Sequence, residues 1–229
     1  MMRTSKYLVR IAFSFLILWQ TTQTTFAQSD GNGSFGMHSV GFSLGAYEPT
    51  LGNWSNSPIV WMKANSNFFF PTIFAEARVY SFIYARIEAG YNQEKVWKPI
   101  TNFGDQSLNY SFIPISGALF FNVNPESNDV KFYLGGGGGT CLINRTYSYN
   151  DLVNKTSGSD KASGADVIYF LSAEVEVPMF IEFFSMSLEF RYSFGTFNQQ
   201  FMFNNILNNE KVSFDGPGLG IKFKYLFGN

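Results

Sequence analysis

The sequence predicts an all-β protein, an eight-stranded antiparallel up-and-down transmembrane β-barrel. Three observations predict it. In segment after segment, apolar and polar residues alternate with a period of two, which is typical of strands with one apolar and one polar face. Charged residues make up 14% of the 229 residues and aromatic residues 19%, whereas ordinary soluble domains carry roughly 25% charged residues. The connections between the predicted strands are alternately short and long, as in outer-membrane barrels.

The N-terminal segment 1–27 is predicted to be an export signal. Basic residues precede an apolar run at 11–19, and a polar stretch follows that ends at Ala27, where we expect cleavage. A retained membrane anchor is the alternative, but the apolar run is too short to cross roughly 30 Å of hydrocarbon. Residues 28–229 are then expected to form one barrel domain.

The first half of this domain contains four predicted strands. Strand one, 36–47, sets Val, Phe, Leu and Ala against Ser and Gly. Strands two and three, 70–80 and 83–93, carry Glu and Arg on one face and small or branched apolar residues on the other, with a tight connection between them. Strand four, 108–121, has no charged residue, so its two faces remain ambiguous.

The second half contains the other four predicted strands. Strand five, 130–142, follows a segment rich in Asn, Asp, Ser and Pro, the residues that turns require. Strand six, 167–177, places glutamates opposite aliphatic residues, and strand seven, 184–195, shows the clearest alternation of the chain. Strand eight, 216–227, alternates Gly and Lys with large apolar residues.

Two assignments of inside and outside compete. In a soluble barrel or sandwich the aromatic face would form the core and the charges would face water. However, the interior of an eight-stranded barrel is only just wide enough for side chains, and bulky residues from every strand would overfill it. A sandwich could bury the aromatic residues but would leave too few charges on its surface. The pattern therefore favours lipid outside and the polar face inside.

Local motifs point to a known family. Ile-Pro-Ile-Ser at 113–116, Tyr-Leu-Gly at 133–135 and the last strand around 220–225 resemble the small eight-stranded outer-membrane β-barrels of the OmpA and OmpX type, especially the outer membrane protein beta-barrel domain proteins of the Bacteroidota. The resemblance spans about 36–227, and its motifs identify a class rather than a function. It implies a bacterial outer-membrane location, contact with outer-membrane lipid, and recognition of the last strand by the barrel-insertion machinery. The family often ends on an aromatic residue, whereas Gly228 and Asn229 follow Phe227 here.

The polar faces of the strands predict a group of charges in the lumen. We expect a structural ion-pair network that plugs the barrel, because eight strands leave little space around long charged side chains. A selectivity filter or proton path is the alternative. The predicted network consists of five acids and five bases: Glu76, Arg78, Arg86, Glu88, Glu174, Glu176, Glu189, Arg191, Lys222 and Lys224.

The outer half of the lumen is predicted to be roomier. Ser39, Gly41, Ser43, Gly45, Gly218 and Gly220 lie on the polar faces of the neighbouring first and eighth strands, which suggests a small vestibule. The glycine run 135–139 lacks the Gly-Lys-Ser/Thr ending of a phosphate-binding loop. Glycine in a barrel strand more often indicates curvature or close packing.

The sequence offers no convincing catalytic, metal or cofactor site. His38, the only histidine, is expected to point toward lipid at the periplasmic rim, where it cannot act as a general base. Cys141, the only cysteine, is expected to pack rather than react. We therefore expect a protein that is not an enzyme and needs no cofactor or metal. A net charge of −1 and a pI of about 5.9 give no electrostatic footprint for nucleic acid.

The outside loops are the remaining place for function. Loop three, 144–166, is polar and rich in Ser and Gly, and is predicted to be mobile. The other loops carry aromatic residues of the kind that anchor protein interfaces. The sequence thus favours a structural or interaction protein, for example an accessory subunit that contacts other outer-membrane proteins. The alternative is a small-ligand-binding or transport barrel with a narrow pore. The candidate contact residues are Trp54, Trp61, Trp97, Phe201 and Phe203.

Overall fold

A computed structural model describes most of the predicted barrel domain. The described residues are 35–47, 68–100, 104–127, 129–153, 155–181, 183–203, 206–213 and 215–227. The predicted export signal and its cleavage site lie outside them and stay predictions. Within these ranges there is no helix of the length and hydropathy needed to cross a membrane.

Ten strands make up the described fold. Their bounds are β1 Gly36–Tyr47, β2 Phe68–Tyr80, β3 Ile83–Gly90, β4 Asn92–Ile100, β5 Gly104–Asn122, β6 Lys131–Asp151, β7 Thr156–Pro178, β8 Phe184–Phe203, β9 Ile206–Ser213 and β10 Gly216–Leu226.

The strands close into an eight-stranded antiparallel barrel. The hydrogen-bonded order is β10-β1-β2-β3-β5-β6-β7-β8, and β8 pairs with β10 to close the ring. β4 continues the line of β3 beside β5, and β9 pairs with the distal part of β8. The predicted fold class is therefore confirmed, and the wall that the described strands form has no open sheet edge.

The wall presents apolar side chains outward and polar ones inward. Outward positions of neighbouring strands carry large exposed side chains such as Phe42, Ile73 and Leu119, and Ile73 is 68% exposed. Inward positions are buried and carry serines and charged residues. Strand four, whose faces were ambiguous, becomes β5, with Phe112 and Phe120 buried in the lumen. The alternation was hard to interpret there because aromatic residues occupy both faces.

Loop three, which we expected to be mobile, is a regular β-hairpin. The pairing of β6 with β7 continues without a break from Lys131–Glu176 to Asp151–Thr156, so the predicted strand ends at 142 and 167 were wrong. β4 and β9 likewise occupy segments that the sequence assigned to loops two and four. The signal failed because alternation of apolar and polar residues requires an apolar solvent on one side. A strand that leaves the membrane meets water on both faces, so its apolar residues need not alternate with polar ones.

The break between β3 and β4 has a local cause. Strand three was expected to run to Gln93, but its ladder with β5 stops at Ala89–Ile115 and resumes at Asn92–Phe112. Pro114 lies in the gap, and proline has no backbone N–H to donate to a ladder. The N–H of Tyr91 instead donates to the carbonyl oxygen of Pro71 on β2, at 3.2 Å.

Candidate functional site

A layer of ion pairs fills the half of the lumen that lies nearer the start of β1 and the end of β10. It contains nine of the ten predicted charges, on strands β2, β3, β7, β8 and β10. We call these residues the lumenal belt: Glu76, Arg86, Glu88, Glu174, Glu176, Glu189, Arg191, Lys222 and Lys224. Because strands alternate their side chains, each member occupies an inward position of its strand.

Arg86 lies at the centre of the belt. Its side chain is 1% exposed, its Nε donates to Oε1 of Glu76 at 2.6 Å and its Nη2 donates to Oε2 of Glu174 at 2.6 Å. A weaker contact of 3.5 Å joins Nη1 to Oε1 of Glu189. The guanidinium carbon lies 3.9 Å from the centroid of the Phe120 ring, a cation–π contact in a site closed to water.

Two lysines of β10 complete the centre. Nζ of Lys222 lies 2.9 Å from Oε2 of Glu174 and 3.0 Å from Oε2 of Glu189. Nζ of Lys224 lies 2.5 Å from Oε1 of Glu174 and 2.7 Å from Oε2 of Glu176. Lys224 also lies 3.3 Å from Oε2 of Glu76, so Lys222 contacts two carboxylates, Lys224 contacts three, and Glu174 contacts three cations. Buried charges are tolerated only when they are paired in this way.

Arg191 forms the outer edge of the belt. It makes a two-pronged contact with Glu88, of which the Nη2–Oε2 distance is 2.8 Å, and Nη2 also donates to Oε1 of Glu189 at 3.0 Å. Its guanidinium carbon lies 4.0 Å from the centroid of the Phe170 ring. The side chain is 21% exposed, more than any other in these ion pairs, so Arg191 is where the belt meets the space above it.

Serine hydroxyls donate further hydrogen bonds to four of the five carboxylates, at oxygens that also contact a cation. Ser39 donates to Glu76 at 2.5 Å and Ser187 to Glu174 at 2.8 Å. Ser116 and Ser172 donate to Glu88 and Glu189, at 2.9 and 2.6 Å. These small residues share the inward faces with the charges, so the sequence pattern placed them correctly without showing their role.

Arg78 is the exception among the ten predicted charges. It is exposed and lies at the last inward position of β2, where the β2–β3 ladder shifts register between Arg78 and Tyr80. The prediction that it joins the network was wrong, because alternation shows the face of a residue but not its depth. The belt consequently contains five carboxylates and four cations rather than five of each.

His38 also lies elsewhere than predicted. A β-bulge shifts the register of β1 and β2 between Met37 and Ser39, so His38 and Ser39 both turn inward. His38 is buried, and its ring centroid lies 4.7 Å from that of Tyr84. The expectation of a lipid-facing histidine was wrong because a bulge reverses the parity of every residue before it.

One buried cation escaped the sequence reasoning altogether. Arg145 on β6 is 1% exposed and lies within the segment that was expected to be a mobile loop. Its inward orientation follows from its parity with Tyr133 and Cys141, both buried. An unbroken period-two count from Tyr133 would have found it.

A cavity lies above the belt, where the sequence suggested a vestibule. Its volume is ≈ 130 Å³, and Ser43, Gly45, Gly218 and Gly220 form part of its lining. Gly41 does not open onto it, because a Cβ there would collide with the Phe74 ring and the carbonyl oxygen of Phe223. We refer to this cavity as the vestibule.

The glycine run on β6 serves close packing. A Cβ at Gly135 would collide with the Phe120 ring and the carbonyl oxygen of Leu119, and at Gly137 and Gly139 it would collide with Ala118 and Ser116 of β5. The run therefore lets the two strands and the Phe120 ring approach each other.

The other candidate residues lie as follows. Cys141 is buried and lines the vestibule. Across the described parts of the chain, no group of three or more His, Cys, Asp or Glu side chains could hold a metal ion. Trp97 lies on β4, and Phe201 and Phe203 lie on the distal part of β8. Trp54 and Trp61 lie outside the described residues.

Comparison with known proteins identifies the fold. The structure is similar to the outer membrane protein OprG from Pseudomonas aeruginosa, with a TM-score of 0.55, 13% identity, and coverage of 87% of this chain and 99% of that one. It is also similar to a major outer membrane protein from Thermus thermophilus, with a TM-score of 0.50, 12% identity, and coverage of 83% and 100%. No model of a protein family matches the sequence, and no curated protein matches it.

These similarities establish the fold of the small outer-membrane β-barrels. Together with the apolar outer face of the wall, they place the protein in the bacterial outer membrane. The end of the barrel at which β1 begins and β10 ends, which also carries the short connections, then faces the periplasm. The β4–β5, β6–β7 and β8–β9 hairpins lie on the outside.

Proposed function

We propose that this protein is a non-conducting, non-enzymatic outer-membrane barrel that acts as a structural or interaction protein. The observation that carries the proposal is the pair formed by Arg191 and Glu88. In the ring of eight wall strands, β8 and β3 are directly opposite each other, so this ion pair crosses the whole lumen. Arg86 of β3 reaches Glu174 of β7, almost as far around the ring.

The contacts around these pairs leave the belt little freedom to open. Each carboxylate is held by at least one cation, and four of the five also accept a serine hydroxyl. Separating one partner of a buried ion pair costs about 3–5 kcal/mol. A transient water path would have to break several such contacts at once, so the lumen is proposed to stay closed.

The external hairpins support an interaction role. β6 has 21 residues, which corresponds to a length of roughly 70 Å and, at a tilt of about 40°, a height of roughly 50 Å. The apolar band of such barrels is about 25 Å tall. The β6–β7 hairpin therefore projects well beyond the membrane, as a surface for partners outside the cell. Trp54, Trp61, Trp97, Phe201 and Phe203 remain proposed contact residues.

The periplasmic turn between β7 and β8 gives a second apolar surface. Met179, Phe180, Ile181 and Phe183 are all exposed, and Phe180 is fully so. The turn is ordered: the N–H of Met179 donates to the carbonyl of Phe184 at 2.9 Å, and Leu226 donates to Phe183 at 2.7 Å. Phe183 has a φ of 72°, an uncommon conformation for a bulky residue. Four exposed apolar side chains grouped in one turn suit a protein contact.

The test combines conductance with isolation from native membranes. Full-length wild-type protein in planar bilayers should show no reproducible ionic conductance, whereas the double variant Glu88→Ala/Arg191→Ala should show resolved current steps. Chemical cross-linking in native membranes should recover a stoichiometric envelope protein, and Phe180→Ser or removal of the β6–β7 tip should reduce its yield. Long-lived currents through the wild-type protein would overturn closure, and recovery of the protein alone would overturn the interaction role.

The resemblance to barrels of the Bacteroidota remains part of this proposal, because the solved structures compared above have 12% and 13% identity and speak to the fold alone. Outer-membrane lipid remains a proposed partner of the folded protein, and the barrel-insertion machinery remains a proposed partner during its biogenesis.

A further inference from the structure

We infer that the vestibule is a binding site for a small neutral molecule, about the size of a single ring, with an apolar body and one hydrogen-bond-accepting oxygen. This inference goes beyond the proposed closed barrel and does not require an interaction partner. It follows from the size of the cavity, the chemistry of its wall and the charges at its floor.

The size of the vestibule fits one ring. Its volume is ≈ 130 Å³, and cavities of about 150 Å³ in protein interiors hold a benzene molecule. Glycines keep the space open: at Gly220 a Cβ would meet its nearest neighbours at 3.6 Å, an ordinary contact distance. A larger side chain would therefore fit at this position and would fill the cavity, yet the sequence has glycine.

The wall of the vestibule is mostly apolar. Phe70, Phe112, Pro114, Ile168 and Phe170 contribute to the lining, and Phe112 and Phe170 are buried. Five residues with hydroxyls also line it: Ser43 and Thr72 are hydrogen-bonded to each other at 2.5 Å, Ser116 donates to Glu88, and the other two are Tyr47 and Ser193. Water gains little from such a wall, whereas an apolar ring buries its surface against it.

The floor of the vestibule determines the polar end of the ligand. Arg191 lines the cavity and is the most exposed side chain of the belt's ion pairs. A guanidinium has five N–H donors, and the contacts with Glu88 and Glu189 use only Nη1 and Nη2. Nε has no hydrogen-bond partner among the described side chains and backbone. Because Nε is itself closed to solvent, the donor left for an oxygen acceptor is the second N–H of Nη1.

The same floor selects a neutral ligand. Glu88 and Glu189 flank the guanidinium and also line the cavity, so an anionic ligand would lie beside two carboxylates. A cationic ligand would lie beside Arg191 itself, whose charge both glutamates already compensate. Like charges this close in a site of low dielectric disfavour binding strongly. A carbonyl, ether or hydroxyl oxygen avoids both costs.

The test uses 4-fluorobenzyl alcohol as the probe, observed by fluorine NMR with the full-length protein in detergent micelles. Gly220→Leu fills the vestibule from β10. Gly117→Leu is the matched control, because Gly117 is on the outward face of β5 and its Cβ would meet only the carbonyl oxygen of Arg86, at 3.9 Å. We expect saturable binding to the wild type and to Gly117→Leu, and its loss in Gly220→Leu.

The probe series tests the chemistry. 4-Fluorotoluene, which lacks the oxygen, should bind about five-fold more weakly, because it cannot make the hydrogen bond to Arg191. 4-Fluorobenzoate should show no saturable binding. If Gly220→Leu does not fold, as judged by its heat-modifiable mobility on SDS gels, the smaller change Gly220→Ala should still weaken binding of 4-fluorobenzyl alcohol. Equal binding by the wild type and the filled variants would show partition into the micelle and overturn the site. No saturable binding to the wild type would overturn it too, leaving a vestibule that holds only water.

Discussion

Replacing Glu174 with glutamine tests the energetic role of the lumenal belt at its most connected residue. The change keeps the size of the side chain but removes its charge. Glu174 lies 2.6 Å from Arg86, 2.9 Å from Lys222 and 2.5 Å from Lys224, and all four side chains are at most 2% exposed. Three cations would therefore lose one shared anion in a space that water does not reach.

The expected loss of stability is large. Removing one partner of a buried ion pair costs about 3–5 kcal/mol, because the remaining charge is left without compensation. Glu76, Glu176 and Glu189 still pair with the same cations, so we expect Glu174→Gln to cost about 3 kcal/mol, the lower end of that range. The measurement is the free energy of unfolding from reversible urea titration of the barrel in lipid vesicles.

Glu126→Gln is the matched control, because Glu126 is exposed in the turn between β5 and β6. An exposed charge contributes little, and this variant should change the free energy of unfolding by less than about 0.5 kcal/mol. If Glu174→Gln were as mild as Glu126→Gln, the belt would not hold the lumen together, and the inference of a closed plug would lose its energetic basis.

Three further outcomes are expected. Gly135→Leu should prevent folding or cost more than about 3 kcal/mol, because its Cβ would collide with the Phe120 ring. The control variant Gly117→Leu should be tolerated. If the two variants showed the same heat-modifiable mobility on SDS gels, this account of the packing would be contradicted. Raising NaCl from about 0.1 to about 1 M should change the unfolding free energy by less than about 1 kcal/mol, since screening acts mainly on exposed charges; a steep salt dependence in vesicles would show that water enters the belt. Phe180→Ser should leave the unfolding free energy within about 0.5 kcal/mol of wild type, because Phe180 is fully exposed, while the yield of cross-linked partner falls; a folding defect would instead assign Phe180 a structural role.

The sequence predicted the barrel wall well where one face meets lipid. The bounds of β1 match the prediction at both ends, and those of β10 match within one residue. In these strands the contrast between Phe, Leu or Ile outside and Ser, Gly or Lys inside extends over the full length. The same contrast identified the nine members of the belt, because a charge on the inward face of a narrow barrel must lie in the lumen.

Four kinds of feature could not be predicted in this way. The external hairpins lack a regular alternation of apolar and polar residues, so β4 and β9 looked like loops. Bulges reverse parity without a compositional signal, which is why His38 was assigned to the wrong face. The depth of a residue along the barrel axis depends on strand tilt and register. A period of two in the sequence shows neither of these, so Arg78 was placed too deep. The partners within the belt, such as Glu88 for Arg191, required the closed ring.

Neighbouring residues on opposite faces of one strand offer the most direct test of the orientation on which the fold and the belt both depend. Thr72 lines the vestibule, and Ile73 beside it is exposed on the outer face. Spin labels on Thr72→Cys and Ile73→Cys, each in a Cys141→Ser background in lipid vesicles, would be compared by their collision rates with oxygen and with a water-soluble nickel chelate. The label at 73 should collide often with oxygen, which concentrates in lipid, and the label at 72 should not. Similar or reversed oxygen accessibility at the two positions would contradict a wall with lipid outside and charges within.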